Sequence, residues 1–217
     1  MMKAWLPALC AAALLAACAG ARAPEWQAAA HGALERFKQH YLAGESRRAQ
    51  HAFTEAKENI AATGRLDLAA RADLIHCAVA TAALDYGACA AFEQVKGDAS
   101  PGDLAYFAFL AGDWQGLDAG DLPAQYRRIV SGSDAAAMDR AVLQIEDPLS
   151  RLIAAGVLFR KGGLSARGMA TAVDTASAHG YRRPLLAYLN IQATLAEEAG
   201  DTAALGTIRR RIELILN

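Results

Sequence analysis

The sequence lacks the patterns that indicate a β-sheet or a membrane-spanning helix. It has few runs of β-branched residues and no stretch in which apolar and polar residues alternate over the length of a strand. The apolar run at positions 4–14 is only about a dozen residues long, whereas a bilayer-spanning helix needs about 20. Pro7 would further weaken such a helix. Because the chain is rich in alanine, which has the highest helix propensity, we expect an all-α protein.

The sequence also lacks an excess of charge of either sign. It contains 22 Lys and Arg residues against 23 Asp and Glu residues, and its formal net charge is -1. The arginine clusters, such as Arg47-Arg48, are dispersed among acidic residues, which is typical of solvated helix faces. We therefore expect no nucleic-acid partner, since nucleic-acid binding depends on a concentrated basic surface.

No arrangement typical of a catalytic centre or a metal site is found. The glycine-rich stretch 162–168 lacks the lysine of a phosphate-binding loop, and no Gly-x-Ser-x-Gly motif exists. His51 and Glu55 lie four residues apart on a predicted helix, but they supply only two ligands where structural zinc usually has four. His76, beside Cys77, does not form a ligand pattern either. We expect no catalytic residue, no metal and no cofactor.

Apolar residues recur at helical spacing along the chain, and short glycine-containing turns separate the helical stretches. The predicted helix over 67–84 is apolar on two faces, so we expect it to be the central helix. Ser133 and Asp147 are predicted N-caps. Pro101 begins a further helix, whose stretch 104–110 is nearly all apolar and is expected to be buried. The other predicted helices cover 24–42, 46–62, 88–95, 123–130, 134–145, 148–160, 165–179, 183–199 and 202–216.

The loop predicted at 112–122 is the most site-like feature in this pattern. It is rich in glycine and aspartate and carries one large aromatic residue, Trp114. A long polar loop with one aromatic side chain can form the edge of a binding site. Trp114 folded back onto the core is the alternative, and it is the one we favour.

Residues 1–18 resemble the export signal of a bacterial lipoprotein. Lys3 provides a positive start, an apolar run follows, and Leu15-Ala16-Ala17-Cys18 matches the small-residue cleavage site called the lipobox. The resemblance implies cleavage after Ala17, a diacylglycerol on the Cys18 thiol and a further acyl chain on its amine. Two or more such chains give stable membrane anchoring. A cleaved signal without lipid and a buried N-terminal helix are the alternatives.

In such lipoproteins the residue after the cysteine directs sorting, and here it is Ala19 rather than the aspartate associated with inner-membrane retention. The resemblance therefore implies a lipid-anchored protein at the periplasmic face of the outer membrane. The expected organisation is a signal peptide at 1–17, a tether at 18–24 and one all-α domain at 25–217.

Within this resemblance the four cysteines divide into three groups. Cys10 leaves with the signal and Cys18 takes the lipid, so Cys77 and Cys89 remain as a pair in an oxidising compartment. A disulfide between them is expected, although a simple hairpin that turned at Gly87 would hold them too far apart along the helix axes. The bridge requires the first helix to end early or the two helices to cross steeply. Two buried free thiols are the alternative.

Gly44, Ala49, Phe53 and Ala56 stand at the spacing of the second half of a tetratricopeptide repeat. The resemblance is to a degenerate array, because the first-half pattern is poor and the other turns are unevenly spaced. It implies helical hairpins stacked as an α-solenoid; an irregular helical bundle with the same turns is the alternative.

Together these features predict a non-catalytic protein-binding scaffold or adaptor of the cell envelope, with envelope proteins as partners. An enzyme acting on cell-wall material is one alternative, and it would need clustered ionisable groups in a cleft. A carrier of an apolar ligand is another, suggested only by the 54% of hydrophobic residues.

Overall fold

The structure is a computed structural model that describes residues 24–217. The predicted signal peptide and Cys18 lie outside the described residues, so the lipidation of Cys18 stays a prediction. Residues 24–217 are helical and contain no strand, which confirms the predicted all-α class. No helix within them is both long and apolar enough to cross a bilayer.

Eleven α-helices follow one another through the described residues, with three short 3-10 helices at Tyr86–Cys89, Lys96–Asp98 and Ala119–Asp121. The α-helices are α1 (Glu25–Leu42), α2 (Ser46–Ala61), α3 (Leu66–Thr81), α4 (Ala90–Val95), α5 (Pro101–Ala111), α6 (Ala124–Val130), α7 (Ala135–Leu143), α8 (Pro148–Arg160), α9 (Ala166–Ala178), α10 (Arg182–Glu198) and α11 (Thr202–Leu216).

Side-chain caps define where several helices begin. The Asp147 carboxylate accepts a hydrogen bond from the backbone N–H of Ser150, as predicted, and Pro148 occupies the first turn of α8. The predicted cap Ser133 is wrong by one residue. Asp134 caps α7 instead, because its carboxylate accepts from the N–H of Ala137 at 2.8 Å.

The α1–α2 hairpin is the most closely packed helix pair of the fold. Ala49, Phe53 and Ala56, the residues that suggested a repeat, are buried on α2. The Phe53 ring lies 4.9 Å from the Phe37 ring of α1, and small alanines allow the two backbones to approach. Gly44 turns the chain with a φ of 81°, a left-handed conformation that favours glycine.

Helix α3 lies at the centre, as predicted, and packs against α1, α2, α4, α5 and α8. In the larger core it packs against α8, in which the seven consecutive residues from Leu152 to Leu158 are all buried. The helices approach so closely at Gly156 that an added Cβ would lie 2.1 Å from the carbonyl oxygen of Thr81. Glycine at this position therefore sets the distance between the two central helices.

The first and last hairpins of the described chain contact each other. The Arg183 guanidinium, on α10, donates to the carbonyl oxygen of Tyr41 at 2.8 Å and to the hydroxyl of Ser46 at 2.7 Å. It also lies 4.2 Å from the centre of the Tyr41 ring. In an open solenoid each repeat contacts only its neighbours. The described residues thus form a helical bundle that closes on itself, which was the alternative to the solenoid.

The structure brings Cys77 and Cys89 together in a disulfide, with their Cα atoms 4.4 Å apart. The early helix end that this bridge requires is present, since α3 ends at Thr81. The chain then turns through Leu84, whose φ is 61°, and the 3-10 helix Tyr86–Cys89 brings Cys89 back beside α3.

Candidate partner-binding groove

An open concavity, which we call the central groove, lies where the two hydrophobic cores of the bundle meet. Its volume is about 520 Å³, and α1, α3, α5, α6 and α8 all contribute to it. Leu149 and Tyr181, which line it, pack against both cores. Its other lining residues are Glu35, Lys38, Gln39, Leu42, Ile75, Ala78, Val79, Tyr106, Pro123, Gln125, Tyr126, Asp147, Ser150 and Ile153.

Aliphatic side chains from two central helices form the floor of the central groove. Ile75 and Val79 come from α3, one turn apart on one face, and Leu149 and Ile153 come from α8 in the same relation. Val79 and Ile153 are buried, whereas Ile75 and Leu149 are half-buried and accessible from the groove. Ile75 and Leu149 are therefore the part of the floor that is open to an apolar group from solvent.

Two stacked tyrosines form one wall of the central groove. The rings of Tyr106, on α5, and Tyr126, on α6, lie 5.6 Å apart at an angle of 17°. Burial raises the pKa of Tyr106 well above its usual value, and the neighbouring Tyr126 adds to this. Burial likewise raises the pKa of Tyr126. Both hydroxyls therefore stay neutral at physiological pH and cannot act as bases.

A second depression of about 670 Å³, the side groove, adjoins the central groove and shares Gln125, Asp147 and Ser150 with it. Its remaining lining residues are Ala124, Arg128, Ala141, Gln144, Ile145 and Glu146. The Asp147 carboxylate lies at the junction of the two grooves. Burial raises the pKa of Tyr181, and the negative charge of Asp147 adds to that shift, so the field of this carboxylate reaches the central groove.

The predicted loop at 112–122 does not form a binding edge through Trp114. The Trp114 indole N–H donates to the carbonyl oxygen of Phe109 at 3.2 Å, and the two rings stack 5.9 Å apart. The ammonium of Lys161 lies over the indole ring, 4.4 Å from its centre. This confirms the alternative in which Trp114 folds back onto the core.

His51 and Glu55 are not brought together with further metal ligands. Both oxygens of Glu55 accept hydrogen bonds from the Arg36 guanidinium at 2.8 Å. Within residues 24–217 no group of three or more His, Cys, Asp or Glu side chains is placed so that it could hold a metal ion.

Sequence reasoning missed a cluster around His76. The imidazole of His76, on α3, lies 5.1 Å from the ring of Phe37, 5.8 Å from that of Tyr41 and 4.9 Å from that of Phe53. Charged groups surround it: Asp73 pairs with Lys57 at 2.9 Å, Asp85 accepts from the Tyr41 hydroxyl, and Arg183 covers Tyr41. Burial lowers the pKa of His76. These rings converge from α1, α2 and α3, so spacing within one helix could not reveal them.

The His76 imidazole makes the protein less stable in acid. Its pKa is lower in the folded chain than the value of about 6.5 expected in the unfolded chain. The unfolded state therefore binds a proton first as the pH falls below about 6.5, and the free energy of unfolding falls with it. We expect the replacement His76→Gln to reduce the loss of melting temperature between pH 7 and pH 5. The replacement of exposed His31 by Gln is the control, and an unchanged pH profile in His76→Gln would contradict this account.

No protein-family model matches the chain, and no curated protein or solved structure shows significant similarity to it. Function is therefore inferred from the two grooves and from the residues that line them.

Proposed function

We propose that this protein is a lipoprotein anchored to the periplasmic face of the outer membrane, and that its helical body is a non-catalytic scaffold that binds an envelope protein. The central groove is the binding surface, and the lipid on Cys18 holds that surface at the membrane. The observation that carries the proposal is the open groove itself, with an aliphatic floor from α3 and α8 and a polar rim. Exposed apolar floors with polar rims are typical of protein interfaces.

Two properties of the central groove favour a scaffold over the alternatives. It is an open furrow between helices, whereas a carrier is expected to enclose its apolar ligand in a closed cavity. No histidine or cysteine of the described chain lines it, and burial keeps the tyrosine hydroxyls protonated. Its carboxylates are already engaged, because Glu35 pairs with Lys38 at 2.7 Å and Asp147 caps α8. This composition supports binding more than acid–base or nucleophilic catalysis. The Cys77–Cys89 bridge supports a location outside the cytoplasm, since disulfides persist in oxidising compartments.

The proposal can be tested with a photoreactive amino acid at three exposed glutamines. Gln39 and Gln125 line the central groove, and Gln50 lies on α2 away from both grooves. We expect benzoylphenylalanine at Gln39 and at Gln125 to crosslink in intact cells to one and the same envelope protein, identified by mass spectrometry. The same amino acid at Gln50 should not. Each variant replaces a surface glutamine, so differences in folding should not account for the pattern.

The anchor is tested in the same cells through Cys18→Ser. We expect the unaltered chain to fractionate with the outer membrane and to carry acyl groups on Cys18, and the variant to lose both the acyl groups and the crosslink. If benzoylphenylalanine at Gln39 gave the same crosslinked products as at Gln50, the scaffold proposal would be refuted. An unmodified chain in the cytosol would refute the anchor.

A further inference from the structure

The α1–α2 hairpin (residues 25–61) packs on the rest of the bundle as a unit of its own. Its two helices contact each other far more extensively than they contact α3 or α10. Its apolar side chains form the smaller hydrophobic core together with residues of α3. Helices that share a core in this way can open together while the rest of a protein stays folded. A change of charge at the interface between the hairpin and α3 can therefore act locally.

The half-buried imidazole of His76 lies in this interface. Its nearest rings belong to Phe37 and Tyr41 of α1 and to Phe53 of α2, with centres 4.9 to 5.8 Å from the centre of the imidazole. No side chain of the described residues forms a hydrogen bond with the imidazole. The interface thus surrounds the imidazole with aromatic rings and provides no acceptor for the additional proton of an imidazolium.

The charged groups that face the imidazole are already engaged with other partners. They come from α2, α3, the turn after α3 and α10, and they are Lys57, Asp73, Asp85 and Arg183. The Lys57 ammonium donates to both oxygens of the buried Asp73 carboxylate at 2.9 Å. The Asp85 carboxylate accepts from the Tyr41 hydroxyl at 3.0 Å, and Arg183 covers the same tyrosine ring. Burial raises the pKa of Tyr41, so this hydroxyl stays neutral. Two cations and two carboxylates therefore balance each other here, and neither carboxylate is free to pair with an imidazolium.

We propose that His76 is a proton-controlled latch, in which the neutral imidazole allows the α1–α2 hairpin to pack on α3 and protonation in mild acid favours release of the hairpin. In the opened form water hydrates the imidazolium, whereas the closed interface offers it no free acceptor. Burial lowers the pKa of His76 in the closed form. The opened form therefore takes up a proton at a higher pH than the closed form, and it is increasingly favoured as the pH falls below about 6.5.

Release of the hairpin would dismantle the central groove. Helix α1 forms one side of the groove through four residues of its C-terminal half, and Ile75 of the groove floor is the neighbour of His76 on α3. Acid would then lower the fraction of molecules in which the groove is intact. This consequence for partner binding rests on the proposed function, whereas the latch is a property of the chain itself.

Hydrogen exchange of the full chain at pH 7 and pH 5.5 tests the latch. Mass spectrometry gives the exchange rate of each segment, and division by the rate of an unstructured peptide at the same pH removes the direct effect of pH. We expect the amides of α1 and α2 to exchange together and to be less protected than those of α8 at both pH values. Their protection should fall severalfold at pH 5.5. About eightfold is the largest fall that one imidazole can produce when its pKa in the opened form is about 6.5.

The variant His76→Gln connects the fall in protection to the imidazole. Glutamine is uncharged at both pH values, so we expect the protection of the hairpin to be nearly the same at pH 7 and pH 5.5. His31→Gln is the matched control, because His31 is exposed on α1 of the same hairpin, and it should keep the fall. Titration of the His76 ring by nuclear magnetic resonance in the unaltered chain requires no variant, and it should give a pKa below the ordinary value of about 6.5.

Equal protection of the hairpin and α8 at both pH values would overturn the latch, because the hairpin would then open only when the whole bundle unfolds. A fall in protection that persists in His76→Gln, or a His76 ring that titrates at or above about 6.5, would overturn it as well. These outcomes are separate from failure of the scaffold, since crosslinking through Gln39 at pH 7 tests partner binding without involving the latch.

Discussion

Replacing Gly156 with alanine is expected to lower the free energy of unfolding by about 3 kcal/mol or more, a large effect for one methyl group. The new Cβ would lie 2.1 Å from the carbonyl oxygen of Thr81 and 3.0 Å from its carbonyl carbon. Both atoms belong to the backbone, so no rotation of a side chain can relieve the contact. Helices α3 and α8 would have to move apart at the centre of the bundle.

One hydrogen bond restricts that movement. The Tyr86 hydroxyl, just beyond the end of α3, donates to the carbonyl oxygen of Gly156 on α8 at 2.8 Å. Separation of the helices would disrupt this bond and open space in a tightly packed core. For a domain of this size a loss of 3 kcal/mol corresponds to a fall in melting temperature of roughly 6–12 °C, measurable by circular dichroism.

Gly102→Ala is the matched control for this prediction. Gly102 is exposed in the first turn of α5, and nothing lies within 4 Å of the position its Cβ would take. Alanine there should leave the melting temperature unchanged or raise it slightly, because alanine favours helix more than glycine does. Equal melting temperatures for the two variants would show that α3 and α8 do not cross at Gly156.

Most helices could be predicted from the sequence, because the apolar spacing, the caps and the turn residues that define a helix lie within a few residues of each other. Helix α2 shows this well: the alanines and Phe53 that were predicted to face a neighbour are buried against α1. Helix α11 shows the limit. Ile208, Ile212 and Ile215 recur at helical spacing and pack half-buried against the larger core, but none of its residues is fully buried, because α10 is its main neighbour.

Two predictions about helices failed for physical reasons. The predicted helix 67–84 ends at Thr81, because the turn through Leu84 is needed to place Cys89 beside Cys77. The stretch 104–110 was expected to be buried, yet Leu104 is 40% exposed and within this stretch only Phe109 and Leu110 are buried. A segment that is apolar on all sides gives no periodicity, so the sequence cannot indicate which side faces solvent.

The central groove could not be predicted, because its residues come from distant parts of the chain. Lys38, Ile75, Tyr106 and Asp147 belong to separate elements, and only the packing of α1, α3, α5 and α8 brings them together. Contacts such as that of Arg183 with Tyr41, 142 positions apart, hold this arrangement. The spacing of apolar residues indicates which face of a helix is buried, but it does not indicate which other helix packs against that face.

Removal of the disulfide is the second change for which we expect a large effect. Replacing Cys77 and Cys89 together with alanine should lower the free energy of unfolding by about 3 kcal/mol, because a bridge across a separation of 12 residues restricts the unfolded chain by about that amount. The two sulfurs also pack in the larger core, where Cys77 is fully buried and Cys89 is 4% exposed. Their removal therefore adds a small loss of packing. The urea concentration at half-unfolding measures the effect.

Reduction provides the control, because it breaks the bridge without changing the sequence. Dithiothreitol should lower the midpoint of the unaltered chain nearly to that of the double variant and should leave the variant unchanged. Thiol counting in the unfolded protein gives a second measurement: before reduction both chains should label equally, and after reduction the unaltered chain should gain two thiols. If the unaltered chain already shows those two thiols before reduction, Cys77 and Cys89 are free. The turn after α3 is then held only by packing and hydrogen bonds, such as that between Tyr86 and Gly156.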